Sequence, residues 1–214
     1  MTRDHRKEIV EAGYDAMGDA YLAWASLIED DPRDRMLEAF SARLEAGARV
    51  LDLGCGAGIP STRALATQFD VTGVDMSAAQ IERARRNVPK AMFIQADIAE
   101  VEVPAGSFDG VTAFYSVSHL PREEHASLFE RVARWLRPDG LFLATLGATD
   151  SAEWIGDWLG RPMFFSSFSA DANRRLVEGA GFDLVIDEEL KTIEPDGPIA
   201  FLWVLACNRG VTSG

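Results

Sequence analysis

The segment Val50-Leu51-Asp52-Leu53-Gly54-Cys55-Gly56-Ala57-Gly58 sets glycine at every second position directly after an apolar run. Gly54 and Gly56 let the backbone turn sharply and approach a ligand with no Cβ in the way, so the chemistry on offer is recognition at a strand-to-helix junction. The third glycine comes one residue earlier than in a dinucleotide Gly-x-Gly-x-x-Gly loop, and Asp52 ahead of it is poorly suited to a pyrophosphate. A ligand carrying an ammonium suits it better. Two further carboxylates follow. Asp75 closes the run Val71-Thr72-Gly73-Val74, seventeen residues beyond Gly58, and Asp97 follows Phe93-Ile94-Gln95-Ala96. A carboxylate ending the second strand can accept both hydroxyls of a ribose. Either Asp alone reads more readily as a turn residue or helix cap than as a ligand contact, and it is their joint occurrence after successive strands that favours a ligand.

These residues need strands to carry them. β-rich runs at 49–53, 71–74, 92–95, 110–114 and 141–146 alternate with amphipathic stretches at 62–69, 78–87 and 122–136. Such alternation implies a parallel sheet with helices on both faces. Residues 182–190 and 199–208 also read as strands, but only the turn 194–198 separates them, so they must be antiparallel. The helix before them stops at Glu178-Gly179-Ala180-Gly181. Ser77 is placed to cap the helix that follows Asp75. Without repeats or a linker, the 214 residues form one domain.

Two more segments, Gly106-Ser107-Phe108-Asp109-Gly110-Val111 and Leu136-Arg137-Pro138-Asp139-Gly140-Leu141, complete a pattern. Together with the glycine loop, Asp75 and Asp97, they resemble the class I S-adenosylmethionine-dependent methyltransferases of the small-molecule type over residues 49–145. Asp139 stands where glycine is commoner, a change that a tight turn accommodates. The resemblance implies an α/β, Rossmann-like fold, a mostly parallel seven-stranded sheet with a C-terminal antiparallel hairpin and a helical lid. Residues 1–46 would be the N-terminal helical lid, 47–146 the cofactor-binding core, 147–169 an aromatic insertion, and 170–214 the last helix and hairpin. It implies S-adenosylmethionine as cofactor and S-adenosylhomocysteine as product. Asp52, Gly54, Cys55 and Gly56 would meet it at the loop, Asp75 at the ribose, and Asp97 at the adenine amino group. Met76 and Ile98 would sandwich the ring, with Tyr14, Tyr21 and Tyr115 closing the site. The reaction would be in-line displacement of the methyl group onto a small, partly apolar organic acceptor. Cys55 needs no nucleophilic role in it. A cofactor-binding protein with a regulatory or non-methyl role, such as a cyclisation, remains an alternative. A nicotinamide-dependent oxidoreductase is disfavoured by the glycine spacing and the terminal hairpin.

Ligands of open α/β sheets bind beyond the carboxyl ends of the strands, which gives the loop Tyr115-Ser116-Val117-Ser118-His119-Leu120-Pro121 to the acceptor. Tyr115 and His119 are its catalytic candidates. His119, with an ordinary pKa near 6.5, could take the acceptor's proton, or could instead cap the next helix or orient a backbone carbonyl. Metal coordination by His119 and His125 is disfavoured, since Pro121 interrupts the spacing, and His5 falls in what reads as a mobile tail. Tyr14, Met17, Tyr21, Trp24 and Ile28 recur at steps of three or four, one aromatic face of an N-terminal helix that serves packing or a lid. The insertion holds Trp154, Trp158, Phe164, Phe165 and Phe168, more aromatics than an exposed loop needs, and these are the expected substrate contacts. A dimer interface would show the same composition, so both monomer and homodimer fit. Arg161 within it could anchor a carboxylate or be solvated.

Twenty-one Lys and Arg against thirty-four Asp and Glu give a net charge of −13, which argues against nucleic acid as the partner. Residues 1–10 lack the apolar core of a signal peptide, and the apolar run 199–207 is too short to span a bilayer. Two widely spaced cysteines suit a reducing compartment. The expectation is a cytoplasmic protein without a membrane partner.

Overall fold

The computed structural model describes residues 4–18 and 20–210. In chain order the elements are α1 (His5–Met17), α2 (Ala20–Ala25), α3 (Arg33–Ser41), β1 (Arg49–Leu53), α4 (Ser61–Leu65), β2 (Asp70–Asp75), α5 (Ala78–Asn87) and β3 (Met92–Gln95). There follow β4 (Phe108–Ala113), a 3-10 turn (Val117–His119), α6 (Arg122–Trp135), β5 (Leu136–Gly147), β6 (Ser151–Trp158), β7 (Arg161–Ser167), α7 (Ala170–Gly179), β8 (Phe182–Glu194) and β9 (Gly197–Asn208).

Seven strands form one sheet in the order β3-β2-β1-β4-β5-β9-β8. The first five run parallel, while β9 and β8 close the sheet as the expected antiparallel hairpin. Period-two alternation decides which face each side chain serves. Leu51, Leu53, Phe142 and Ala144 pack beneath α6 and α7, whereas Val50, Leu141 and Leu143 pack on the other face against Met36 and Phe40 of α3 and Leu65 of α4. Both faces of the central strands are thus covered, which is why those strands read as unbroken apolar runs. The chain winds outward in opposite directions from β1, to β2 on one side and β4 on the other, and a crevice opens at that switch point beyond the strand ends.

The lid departs from expectation in two ways. The aromatic stripe does not lie on one helix, because Gly18, at φ 56°, breaks it between α1 and α2. His5 is not in a tail: it opens α1, with the Asp4 side chain accepting from the Arg6 amide as its cap. The aromatic insertion, to which the sequence reading assigned no secondary structure, is a pair of strands. β6 and β7 pair as a hairpin, from Trp158↔Arg161 to Ser151↔Ser167, turning through Leu159 and Gly160 at φ 52° and 76°. Two consecutive left-handed residues make the tight turn whose twist matches paired strands. No described helix is long and apolar enough to cross a membrane. Asp139 also takes a left-handed backbone, φ 63°, which accounts for the glycine common there.

Candidate active site

The glycine loop folds back over β2: Gly54 and Cys55 donate their amides to the Val74 carbonyl at 2.8 and 3.0 Å. Gly54 sits at φ 73°, and a Cβ there would come within 2.3 Å of the Ser116 Cβ, so the loop and the loop after β4 touch as only glycine permits. Asp75 braces the same turn, accepting from the Gly56 amide at 2.8 Å and the Ser77 amide at 2.9 Å. Burial lifts its carboxyl from the ordinary 3.8 to about 6, against the pull of those two bonds. Asp52 lies below, 2% exposed, with one oxygen taken by Thr62 at 2.6 Å and the other by Thr112 at 2.7 Å. The Cys55 thiol is buried and its pKa pushed well up, so it contributes wall and main chain rather than a thiolate.

A cavity of about 80 Å³ opens above Asp75, lined also by Met76, Gln80, Asp97 and Ile98. Gln80 is 1% exposed and neither atom of its amide has a partner, an arrangement a native fold keeps where a ligand completes it. Asp97 accepts from the Ala99 amide at 2.8 Å and lies 2.7 Å from the Lys7 ammonium of α1, which is equally close to Glu124 of α6. Burial opposes the Lys7 charge, but its bonds to Asp97 and Glu124 outweigh it and raise its pKa. Asp15, also on α1, accepts from the Ser77 hydroxyl and the Ala79 amide. Helix α1 and the Asp97 wall of the cavity are therefore fastened together by charge, which the sequence spacing did not disclose.

The wall between this cavity and a second one is aromatic. Tyr14, Tyr21, Tyr115 and His119 line both the first cavity and a second of about 380 Å³. The His119 ring is held between the Phe164 carbonyl, 3.0 Å from Nδ1, and the Tyr14 hydroxyl, 2.8 Å from Nε2. Burial lowers its pKa to about 4, the Phe164 bond opposing only in part. Tyr115, at φ 58°, donates its hydroxyl to Asp31 at 3.1 Å, and its burial raises its pKa, so it serves as wall rather than as a free acid or base. The second cavity is roofed by Trp24, Trp154, Trp158 and Phe165 and floored by Phe201.

Two expected substrate contacts lie elsewhere. Phe164 points to the opposite side of β7 from Phe165, fully buried against Val10, Met17 and Met163, as strand alternation requires. Phe168 packs on His125 and beneath the Arg122 guanidinium, 4.4 Å away. Arg161 is exposed at the hairpin turn. The sequence reading missed Arg33, which lines a third cavity of about 40 Å³ with Asp52, Gly54, Gly56 and Tyr115. Its guanidinium lies 5.1 Å over the Tyr115 ring and pairs with Asp31 at 3.2 Å, while its buried Nε has no partner. Its place directly after Asp31-Pro32, at the start of a short polar helix, looks solvated in sequence alone.

The methyltransferase domain family matches residues 25–186. The 27-O-demethylrifamycin SV methyltransferase of Amycolatopsis mediterranei (strain S699) is 33% identical over 207 residues, covering 87% of this chain and 71% of its own. The ubiquinone biosynthesis O-methyltransferase of Xanthomonas axonopodis pv. citri (strain 306) is 37% identical over 123 residues, 54% of this chain and 51% of its own, so the chain spans about half of that relative. The solved Burkholderia thailandensis 1,6-didemethyltoxoflavin-N1-methyltransferase, with didemethyltoxoflavin and S-adenosylhomocysteine bound, superposes with a TM-score of 0.73 at 20% identity, covering 97% of this chain and 91% of the other. Sheet order and strand-end crevice define the class I, Rossmann-like fold. The chain belongs to the methyltransferase domain family and is an S-adenosylmethionine-dependent methyltransferase.

Proposed function

We propose that this enzyme methylates a small, largely apolar organic acceptor seated in the aromatic cavity between the N-terminal helices and the β6–β7 hairpin. The observation that carries this reading is the shared wall: Tyr14, Tyr21, Tyr115 and His119 separate a carboxylate-lined cleft from an aromatic chamber of about 380 Å³, within the range of small-molecule sites. The relatives' names point the same way, one acting on a demethylated rifamycin and the other on an oxygen in ubiquinone biosynthesis.

The residues present fit the cofactor. Gly54 leaves a cradle that a Cβ would fill, and the orphaned amide of Gln80 opens onto the adenosine side. Asp75 would hold the ribose hydroxyls and Asp97 the adenine amino group, with Met76 and Ile98 against the ring. Arg33, with its unpartnered Nε, would take the cofactor's carboxylate, and Asp52 would face its ammonium from below the loop. When bound, S-adenosylmethionine supplies an electrophilic methyl group on sulfur. The chain then contributes chiefly by aligning acceptor and methyl carbon and excluding water, an effect of about 7–11 kcal/mol in well-oriented systems.

Incubation with labelled S-adenosylmethionine and a panel of small phenols, amines, thiols and carboxylates tests the reading. Transfer to at least one neutral aromatic acceptor is expected. Asp75→Ala should weaken S-adenosylhomocysteine binding by about 1.5–3 kcal/mol, as loss of a charge-assisted partner does. Unchanged affinity in that variant would remove Asp75 from the ribose.

A further inference from the structure

We propose that Tyr14 and His119 act as one proton-accepting pair, and that the acceptor is a hydroxyl group carried on a flat apolar body. The proposal rests on the acceptor cavity assigned above. A carbonyl oxygen can only accept, so the contact from His119 Nδ1 to the Phe164 carbonyl puts the imidazole proton on Nδ1. Nε2 then keeps its lone pair, and the Tyr14 hydroxyl at 2.8 Å must be the donor. The ring is fixed by its neighbours, with Phe165 4.6 Å away and the Tyr14 ring edge-on at 5.2 Å. His119 is neutral at physiological pH, because burial holds its pKa near 4. Its one basic position is already engaged, so a proton from the acceptor reaches it through the tyrosine oxygen. Tyr14 stands at the right place for that, since it lines both cavities.

The charge of the chamber selects the acceptor. Glu194 and Asp196 line its far wall, while Arg33, the cation that reaches it, is paired with Asp31. An acceptor arriving as an anion meets a net negative lining; a neutral one enters and must lose its proton inside. A neutral amine attacks with its own lone pair and sheds its proton afterwards, and a thiol, with a pKa of about 8.5, ionises readily by itself. A phenolic hydroxyl, with a pKa of about 10, keeps its proton and needs a partner to take it. In the lining, Trp158 stands nearly perpendicular to Trp24 and to Phe165, at 77° and 90°, and these rings suit a flat body stacked on one and edge-on to the next.

In the step that follows, the O–CH3 bond forms as the S–CH3 bond breaks and its electron pair stays on sulfur. The acceptor's proton passes to Tyr14 Oη while the tyrosine's own proton moves to His119 Nε2. The positive charge lost at sulfur thus reappears on the imidazole, which, with so low a pKa, releases the proton to water once product leaves.

Nitrogen NMR of histidine-labelled protein tests the pair directly, since the chain has three histidines and His119→Gln assigns the signal. Protonated Nδ1 and bare, hydrogen-bonded Nε2 are expected near neutral pH, with the Nε2 signal shifting downfield in Tyr14→Phe. A proton on Nε2, or a spectrum indifferent to Tyr14→Phe, would overturn the pair. The acceptor class is tested with naphthol, naphthylamine and naphthalenethiol as matched probes. Naphthol should be methylated in preference. Its turnover should fall by about 10²-fold in Tyr14→Phe and in His119→Gln, and no further in the double variant, with S-adenosylhomocysteine affinity kept within about twofold. Preference for the amine or thiol, transfer to none of the three, or additive losses would overturn the proposal while cofactor binding by the wild type still stood. Failure of the wild type to bind S-adenosylhomocysteine would instead bring down the proposed function beneath it.

Discussion

With Asp75 at the ribose, as proposed, cofactor affinity should follow pH. Its carboxyl is lifted from 3.8 to about 6 by burial, with Asp52 and Asp15 adding like charge, yet it is the ionised form that would accept two ribose hydroxyls. Binding must therefore expel the proton whenever the site holds one. If the bound form titrates below about pH 4, affinity is nearly level above pH 7 and falls about tenfold between pH 7.5 and 5, a loss of about 1.4 kcal/mol. Calorimetric titration of S-adenosylhomocysteine across that range measures it, and repeating one acidic point in buffers of different ionisation heat counts the proton released. Asp75→Asn should bind more weakly with a flat profile. The sign for folding is opposite. Since the folded state holds this proton to higher pH than the unfolded chain, the stability contribution present below about pH 4 is lost as pH rises through 6. That loss is about 1–2 kcal/mol once the residue's remaining exposure to the cleft is allowed for. A wild-type affinity independent of pH between 5 and 7.5, or a slope that survives in Asp75→Asn, would refute the argument.

The neighbouring phenylalanines of β7 should part company: Phe165→Ala impairs acceptor turnover with a small change in melting temperature, whereas Phe164→Ala, fully buried, costs about 3–5 kcal/mol in denaturant titration. Gln80→Leu should stabilise the ligand-free protein by about 1–2 kcal/mol by removing an unsatisfied buried amide, while weakening S-adenosylhomocysteine binding, as paired thermal-shift and calorimetric measurements would show. Trp154 and Ile155 are 42% and 48% exposed on the hairpin. If that face joins two copies, Trp154→Ala should turn a dimer to monomer in light scattering; if it serves the acceptor, the mass stays and turnover falls.

The grouping of residues around the first cavity was legible because it is local in sequence. Gly54, Gly56, Asp75, Met76, Asp97 and Ile98 each lie at a strand end, and the period-two pattern before each one places it. Long-range pairings were not legible. Nothing in the spacing of Lys7 announces a carboxylate ninety residues on, and Arg33 looks like one more charge in a polar helix. The insertion read as an aromatic segment without a fold, because its hairpin turns through Leu159, a residue type that seldom takes a positive φ, rather than through Asn or Asp. For the same reason Phe164 and Phe165 could not be told apart before the strand's two faces were known. His119 was found as a polar group in the right loop, but its tautomer depends on a carbonyl forty-five residues away.

The ammonium of Lys7, 3% exposed, lies between Asp97 and Glu124, and this gives the first helix an unusual kind of fastening. A lid held by greasy contacts alone pays the whole hydrophobic cost on lifting. Here each of three charges recovers its hydration as the helix rises, and that recovery offsets most of the attraction surrendered, as happens generally when buried ion pairs are returned to water. The charged part of the seating is therefore exact in register yet shallow in energy, and the apolar contacts of Val10 and Met17 with Met163 and Phe164 carry the rest. Such a latch suits a cleft that must admit a fresh cofactor and let the spent one go in every turnover.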